Sequence, residues 1–254
     1  MAEADDNTRR RDVIRKRLNT LDVQWRNSRF DTEIEGVHGE NILAPISGPA
    51  GAPLLLLGAH SDRVDVGRGA TDNASGTATV LALAKRFKHR PLIHHRVSVA
   101  LWDLEEHGLL GAHAYIGNGG ERPALYVNFD VFGWGDTLWM MTPQSDHPLV
   151  SATQSAVNEA GLGLSAGEQY PPTDHRAFLE ASWPAVSFSL VDGDEIDLIL
   201  QAYAGKQPAT KPKVMQVIHS ERDTIAEINA DAAARGVDAV EAALRRWDAA
   251  SAVP

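Results

Sequence analysis

Leu54-Leu55-Leu56-Leu57-Gly58-Ala59-His60-Ser61-Asp62 begins the stretch whose reading decides the fold. It continues through Gly69-Ala70-Thr71-Asp72-Asn73-Ala74-Ser75-Gly76 and Val99-Ala100-Leu101-Trp102-Asp103-Leu104-Glu105-Glu106-His107-Gly108 to Leu125-Tyr126-Val127-Asn128-Phe129-Asp130. Three apolar runs, 54–57, 97–102 and 125–129, have the length and makeup of strands buried on both faces. The second and third are followed at once by an acid, and the first reaches His60 through Gly58-Ala59. In open α/β sheets, ligand sites lie at the carboxyl ends of strands. His60, Asp72, Glu105, Glu106 and Asp130 therefore predict a metal site, and a carboxylate beside a ligand predicts hydrolysis.

Between these runs the pattern alternates with helices. Asp72 precedes a helix over residues 74–88, with small residues where the helix start must pack close to the site, and a short helix is expected near 109–116. Strand and helix in alternation predict a sheet covered on both faces. Upstream, a helix is expected over 7–25, with Asn7 or Thr8 as N-cap and Ile14, Leu18, Leu21 and Trp25 forming a buried stripe. Its basic residues, Arg9, Arg10, Arg11, Arg15, Lys16 and Arg17, read as a solvated face. Strands over 25–30 and 41–46 flank a hairpin-like connection at 35–40. Downstream the expectation is a strand at 137–142, a helix at 148–160 closed by Gly161, a rigid loop over 170–178 and a strand at 185–190. A short helix at 194–203 and a loop at 206–213 follow. The last element is a helix over 230–250 with Asn229 as N-cap and Val237, Val240, Leu244 and Trp247 on one face.

Composition narrows the chemistry. The 254 residues, 43% apolar and 23% charged, fit one catalytic domain over 1–254. A formal net charge of −10 argues against nucleic acid or an anionic membrane as a partner. With no cysteine, any zinc must be held by His, Asp and Glu. The polar, acidic start Met1-Ala-Glu-Ala-Asp-Asp-Asn-Thr8 lacks a signal-peptide apolar region, and no run approaches the roughly 18 apolar residues of a membrane span. The expected location is the cytoplasm; a secreted mature form would look the same.

The ordered motifs resemble the co-catalytic two-zinc aminopeptidase family of clan MH, which also contains the glutaminyl cyclases. The matching segments are His60-Ser-Asp62, Gly69-Ala-Thr-Asp72-Asn-Ala-Ser-Gly76, Glu105-Glu106-His-Gly-Leu-Leu-Gly111, Asn128-Phe-Asp130, Thr173-Asp174-His175-Arg-Ala-Phe178 and His219-Ser-Glu-Arg-Asp223-Thr224. The resemblance implies a three-layer α/β/α sandwich with a central mixed, mostly parallel sheet, of the zinc-exopeptidase (phosphorylase/hydrolase-like) type. It further implies two Zn2+ or other divalent ions, one held by His60 and Asp130, the other by Glu106 and His219, with Asp72 bridging. Asp62 would hold the His60 imidazole in its tautomer, and Glu105 would be the general base that takes the proton as the water or hydroxide held between the ions attacks. The implied reaction is hydrolysis of an N-terminal peptide bond, or a small amide, in a short substrate with a free amine.

Two departures matter. The uninterrupted Glu106-His-Gly-Leu-Leu-Gly111 looks like the peptidases, whereas the cyclases carry a Trp-containing insertion after the Glu pair; a glutaminyl-peptide cyclotransferase-like single-zinc enzyme is the alternative. Several relatives have Tyr just before the last metal His, where this chain has Ile218. Oxyanion stabilisation is therefore left to Tyr170, to His175 or to the metals alone, with Asp174 and His175 read as supporting residues. A non-catalytic binding module on the same fold is the remaining alternative, against which the full set of ligand types stands. For the substrate side-chain pocket, the candidates are residues 132–139, 170–178 and the acidic loop Asp192-Gly-Asp194-Glu195.

Overall fold

The computed structural model describes residues 1–2 and 4–251. Eight strands form one sheet: β1 (Arg26–Asp31), β2 (His38–Ser47), β3 (Leu54–His60), β4 (Arg96–Trp102), β5 (Leu125–Phe132), β6 (Thr137–Met141), β7 (Gly163–Gly167) and β8 (Ala185–Val191). Their spatial order is β1-β2-β4-β3-β5-β8-β6-β7. The central pairs β4–β3, β3–β5 and β5–β8 are parallel, as is β6–β7, while β1–β2, β2–β4 and β6–β8 are antiparallel. The sheet is thus mixed and mostly parallel, as expected.

The period-two alternation of side chains divides the strand residues between two cores. Leu55, Leu57, Val97, Val99, Val127 and Phe129 pack with residues of α1 (Asn7–Thr20), α2 (Gly76–His89), α4 (Pro148–Ala160) and α8 (Ala230–Ala250). Leu54, Leu56, Ala100, Trp102 and Tyr126 pack with α3 (Leu110–Gly117) and α5 (His175–Glu180). Helices on both faces make the three layers, and they explain why β3 and β8 are buried along their whole length. Two short helices, α6 (Ile196–Tyr203) and α7 (Lys213–Val217), cover a smaller apolar cluster with Trp139 and Val191. Among the described residues, no helix is long and apolar enough to cross a membrane.

Several boundaries differ from the sequence expectation. Helix α1 stops at Thr20 rather than 25, because Asp22 is left-handed (φ 51°) and cannot continue a right-handed helix. Its N-cap is Asp6, whose side chain accepts the Arg9 amide hydrogen at 2.7 Å. The basic face is not all solvated: Arg10 is 1% exposed and donates to the carbonyls of Asp62 and Gly69. Arg11 pairs with Asp103 at 2.8 Å. The second half of 170–178 is helix α5, not loop, and the expected loop at 206–213 gives way to α7 at Lys213. Strand β7, Gly-Leu-Ser-Ala-Gly, carries no strand-like composition and forms at the sheet edge through its parallel register with β6.

Candidate metal centre and substrate cavity

The ligand-type residues are brought together by the ends of three adjacent parallel strands and by two loops. His60 is the last residue of β3. Glu105 and Glu106 sit in the turn between β4 and α3, bounded by left-handed Leu104 (φ 58°) and Leu109 (φ 60°). In β5 the register with β8 shifts between Phe129 and Phe132, which takes Asp130 and left-handed Val131 (φ 52°) out of the regular ladder. His219 is itself left-handed at φ 54°. Left-handed backbone at a β-branched Val and at His costs on the order of 1–3 kcal/mol each, and such strain concentrates at functional sites.

Asp72 is placed by the loop that follows β3. Asn73 donates from Nδ2 to the Phe129 carbonyl at 2.9 Å and accepts the Gly76 amide hydrogen at 2.9 Å, while Ser75 Oγ accepts the Phe132 amide hydrogen at 2.8 Å. A Cβ at Gly76 would lie 2.3 Å from the Phe129 carbonyl oxygen, so only glycine allows this approach to β5. The small residues after Asp72 thus staple its loop to the strand that carries Asp130.

At the centre, Asp72 Oδ1 lies 3.0 Å from His60 Nε2 and Asp72 Oδ2 lies 3.2 Å from His219 Nε2. His60 Nε2 is also 3.5 Å from Asp130 Oδ1, and His219 Nε2 is 3.0 Å from Glu106 Oε2. One carboxylate therefore faces both imidazoles, and each imidazole has a second carboxylate of its own. Potential ligand atoms of His60, Asp72 and Glu106 lie within 4.8 Å of one another, as do those of His60, Glu105 and Asp130. His60 Nε2, Asp130 Oδ1 and Glu106 Oε1 are buried without a hydrogen-bond partner. Buried polar atoms of these types, left unpaired and converging, fit divalent ions such as zinc.

The neighbours of the cluster are equally specific. Asp62 places Oδ1 3.3 Å from His60 Nδ1 and accepts the Glu106 amide hydrogen on Oδ2 at 3.2 Å, so it touches both the imidazole and the glutamate turn. Asp174 is fully buried with both carboxylate oxygens unpartnered, and burial, reinforced by Asp62 and Asp130, pushes it well above the carboxylate range. Burial likewise raises Glu105 well above its ordinary value, with Asp174, Asp130 and Asp72 adding to the shift. For Asp72, burial is outweighed by the close approach of the His219 and His60 imidazoles to its two oxygens, which holds it below the usual range. Those contacts with Asp72 and Glu106 push His219 up to about 10.

Beside the cluster opens a cavity of about 540 Å3. Tyr170 lines it, with its hydroxyl bonded to Ser189 Oγ, whereas His175 lies beneath the surface with an unpartnered Nδ1. Of residues 132–139 only Trp139 reaches the cavity, and from 170–178 Tyr170 to Thr173 and Arg176 do so. The acidic loop does not line it. After β8 the Gly193–Glu195 turn packs on β6 and β7, where Glu195 Oε1 accepts the Lys213 amide hydrogen at 2.7 Å and Asp136 accepts that of Gly193 at 3.1 Å. The wall is completed instead by Ile199, Tyr203, Val214 and Ile218, for which the sequence offered no ligand-like signal.

The fold and the cluster together define an α/β/α protein with a candidate metal centre at the carboxyl ends of its central parallel strands. A zinc aminopeptidase from Bacillus subtilis superposes with a TM-score of 0.67 at 24% identity, covering 83% of this chain and 50% of that one. A glutaminyl cyclase from Porphyromonas gingivalis does so with a TM-score of 0.69 at 17% identity, covering 94% and 87%. The model of Peptidase family M28 matches residues 41–244, and the chain belongs to that family. Among curated relatives, leupeptin-inactivating enzyme 1 of Streptomyces exfoliatus is 30% identical over 230 residues, covering 86% of this chain and 51% of the relative. The probable leucine aminopeptidase 2 of Trichophyton verrucosum is 29% identical over 215 residues, covering 74% and 41%. The chain thus spans about half the length of these relatives or less.

Proposed function

We propose that this chain is a metal-dependent aminopeptidase that hydrolyses the first peptide bond of short peptides. The observation that carries the reading is the Asp72 carboxylate, which offers one oxygen to the His60 side and the other to the His219 side at 3.0 and 3.2 Å. In this reading His60 and Asp130 hold one ion, Glu106 and His219 the other, and Asp72 both. Two zinc ions bound there supply Lewis acidity and make a water molecule acidic enough to be deprotonated near neutral pH.

The remaining work falls to side chains. Glu105 takes the proton of the attacking water and returns it to the leaving amine, a role suited to a carboxylate whose burial makes it a better base than an exposed one. Asp62 orients the His60 ring through Nδ1. The free α-amine of the substrate is attracted to the acids at the cavity floor, and the apolar wall takes the side chain of the residue released. Family membership and relatives named as aminopeptidases support this reading. So does the glutamate turn, which runs directly into α3 with the Gly108 and Leu109 amide hydrogens donated to the Glu105 carbonyl at 2.9 Å each, with no insertion of the kind the cyclases carry.

The experiment is hydrolysis of leucine 4-nitroanilide with elemental analysis. Activity should require two equivalents of zinc, disappear with a chelator and return with zinc. Full activity with one tightly bound zinc, accompanied by pyroglutamate formation from N-terminal glutamine, would assign the chain to the cyclase chemistry instead.

A further inference from the structure

The cavity has a single permanently cationic side chain. The carboxylates of Asp72, Glu105, Glu106, Asp130 and Glu180 line it, and among the described residues Arg176, in the first turn of α5, is the only Lys or Arg that reaches it. Arg176 Nε donates to Glu180 Oε1 at 2.8 Å, one helical turn further on. Its Nη1 and Nη2 have no protein partner among the described residues, and its side chain is 60% exposed. Glu180 therefore steadies the guanidinium through Nε and leaves two parallel donors available, the arrangement that pairs bidentately with a carboxylate.

A short peptide is a zwitterion, and apart from any bound metal Arg176 is the lining group suited to its carboxylate. Arg176 and the ligand-type carboxylates line the same cavity of about 540 Å3, within the roughly 300–1,000 Å3 usual for ligand sites, so one short peptide can contact both. We infer that Arg176 is the receptor for the C-terminal carboxylate of the substrate, and that this makes the chain selective for dipeptides over longer or amidated peptides. The inference rests on the aminopeptidase reading above and adds the far end of the substrate to it.

The test compares L-leucyl-L-alanine with its C-terminal amide on the zinc-loaded protein. The acid should have the higher kcat/KM by about 5- to 30-fold, the span expected of a charge-assisted pair discounted for exposure. The advantage should sit in KM and shrink with added salt. In Arg176→Met the acid-to-amide ratio should fall to near one, and Arg176→Lys should restore only part of it, because an ammonium keeps the charge and loses the fork. A purely structural role for Arg176 would lower both substrates together and leave the ratio unchanged. Binding of the reduced-bond analogue of leucyl-alanine, acid against amide, reads the same ratio without turnover. An amide cleaved as well as the acid by the wild type, or a ratio unaltered in Arg176→Met, overturns the carboxylate receptor and leaves the aminopeptidase reading standing. Cleavage of neither substrate nor of leucine 4-nitroanilide overturns both.

Discussion

Asp223 Oδ2 accepts the amide hydrogen of Asp72 at 3.2 Å, while its Oδ1 accepts that of the adjacent Thr71 at 2.6 Å. Asp223 is 1% exposed, and its carbonyl also accepts the Arg68 amide hydrogen at 2.8 Å. The loop that presents His219 is thereby tied to the loop that presents Asp72, so the two sides of the cluster share one brace.

Asp223→Ala would leave two buried amide hydrogens unpaired. A loss of about 2–6 kcal/mol in unfolding free energy is expected, from the usual penalty of 1–3 kcal/mol for each of the two unsatisfied groups. Zinc affinity should fall by roughly 10- to 100-fold, as for other groups that orient ligands. Thermal unfolding and chelator competition measure the two effects separately. Unchanged zinc affinity at reduced stability would reduce Asp223 to a loop brace alone.

Adjacent glutamates should separate by phenotype. Glu105→Gln is expected to lower kcat on the order of 10²–10⁴-fold with zinc content retained, the range for a general base. Glu106→Gln, which alters the carboxylate 3.0 Å from His219 Nε2, should lose zinc. Kinetics paired with elemental analysis decide the matter, and exchanged phenotypes would reverse the two roles.

The cluster was legible because strand and ligand signals coincide in the chain: Leu54–His60 is a buried apolar run ending in His, and Asp130 follows another. What stayed hidden depends on contacts distant in sequence. Arg10 reads as one more cation on a basic helix, yet it is held inside by carbonyls more than fifty residues away, at Asp62 and Gly69. Asp223 lies within the quoted His219–Thr224 motif, but only the folded loops show what its oxygens accept. The acidic loop after β8 begins on the expected side of the sheet, and it is the packing of the Gly193–Glu195 turn on β6 and β7 that removes it from the cavity. Strand β7 forms despite two glycines in five residues because β6 supplies a ready partner edge.

Acid should weaken the fold through His175. The ring is 5% exposed, and burial, aided by neighbouring Arg176, pulls its pKa down to about 3. An unfolded imidazole titrates near 6.5, so between about 6.5 and 3 the unfolded chain binds the proton that the folded chain refuses. The stability from this site is fully present above pH 6.5 and declines as pH falls toward 3. Between pH 7 and pH 5 the decline is about 2 kcal/mol. His175→Phe, which keeps an aromatic ring against Tyr170, should lack this component. Urea unfolding of both proteins across that interval measures it; parallel pH profiles would mean that His175 charges freely in the folded state.

The apolar wall should set which N-terminal residue is released. Val191, Ile199, Val214 and Ile218 line the cavity together with Trp139, and Val214 comes from α7, an element that carries no ligand. A pocket of this kind discriminates by methylene count, each methylene being worth about 1–3 kcal/mol, or 10- to 200-fold in kcat/KM. Val214→Phe fills the space and should cut the preference for leucine over alanine 4-nitroanilide by about tenfold or more, while Val214→Ala should extend acceptance to larger aromatic residues. Overpacking at a site only 5% exposed carries its own cost of about 1–3 kcal/mol in stability, which thermal unfolding reads independently of the ratio. Because the ratio cancels any general loss of active protein, a shift in it reports the pocket itself. Identical leucine-to-alanine ratios in wild type, Val214→Phe and Val214→Ala would place the substrate side chain against a different wall.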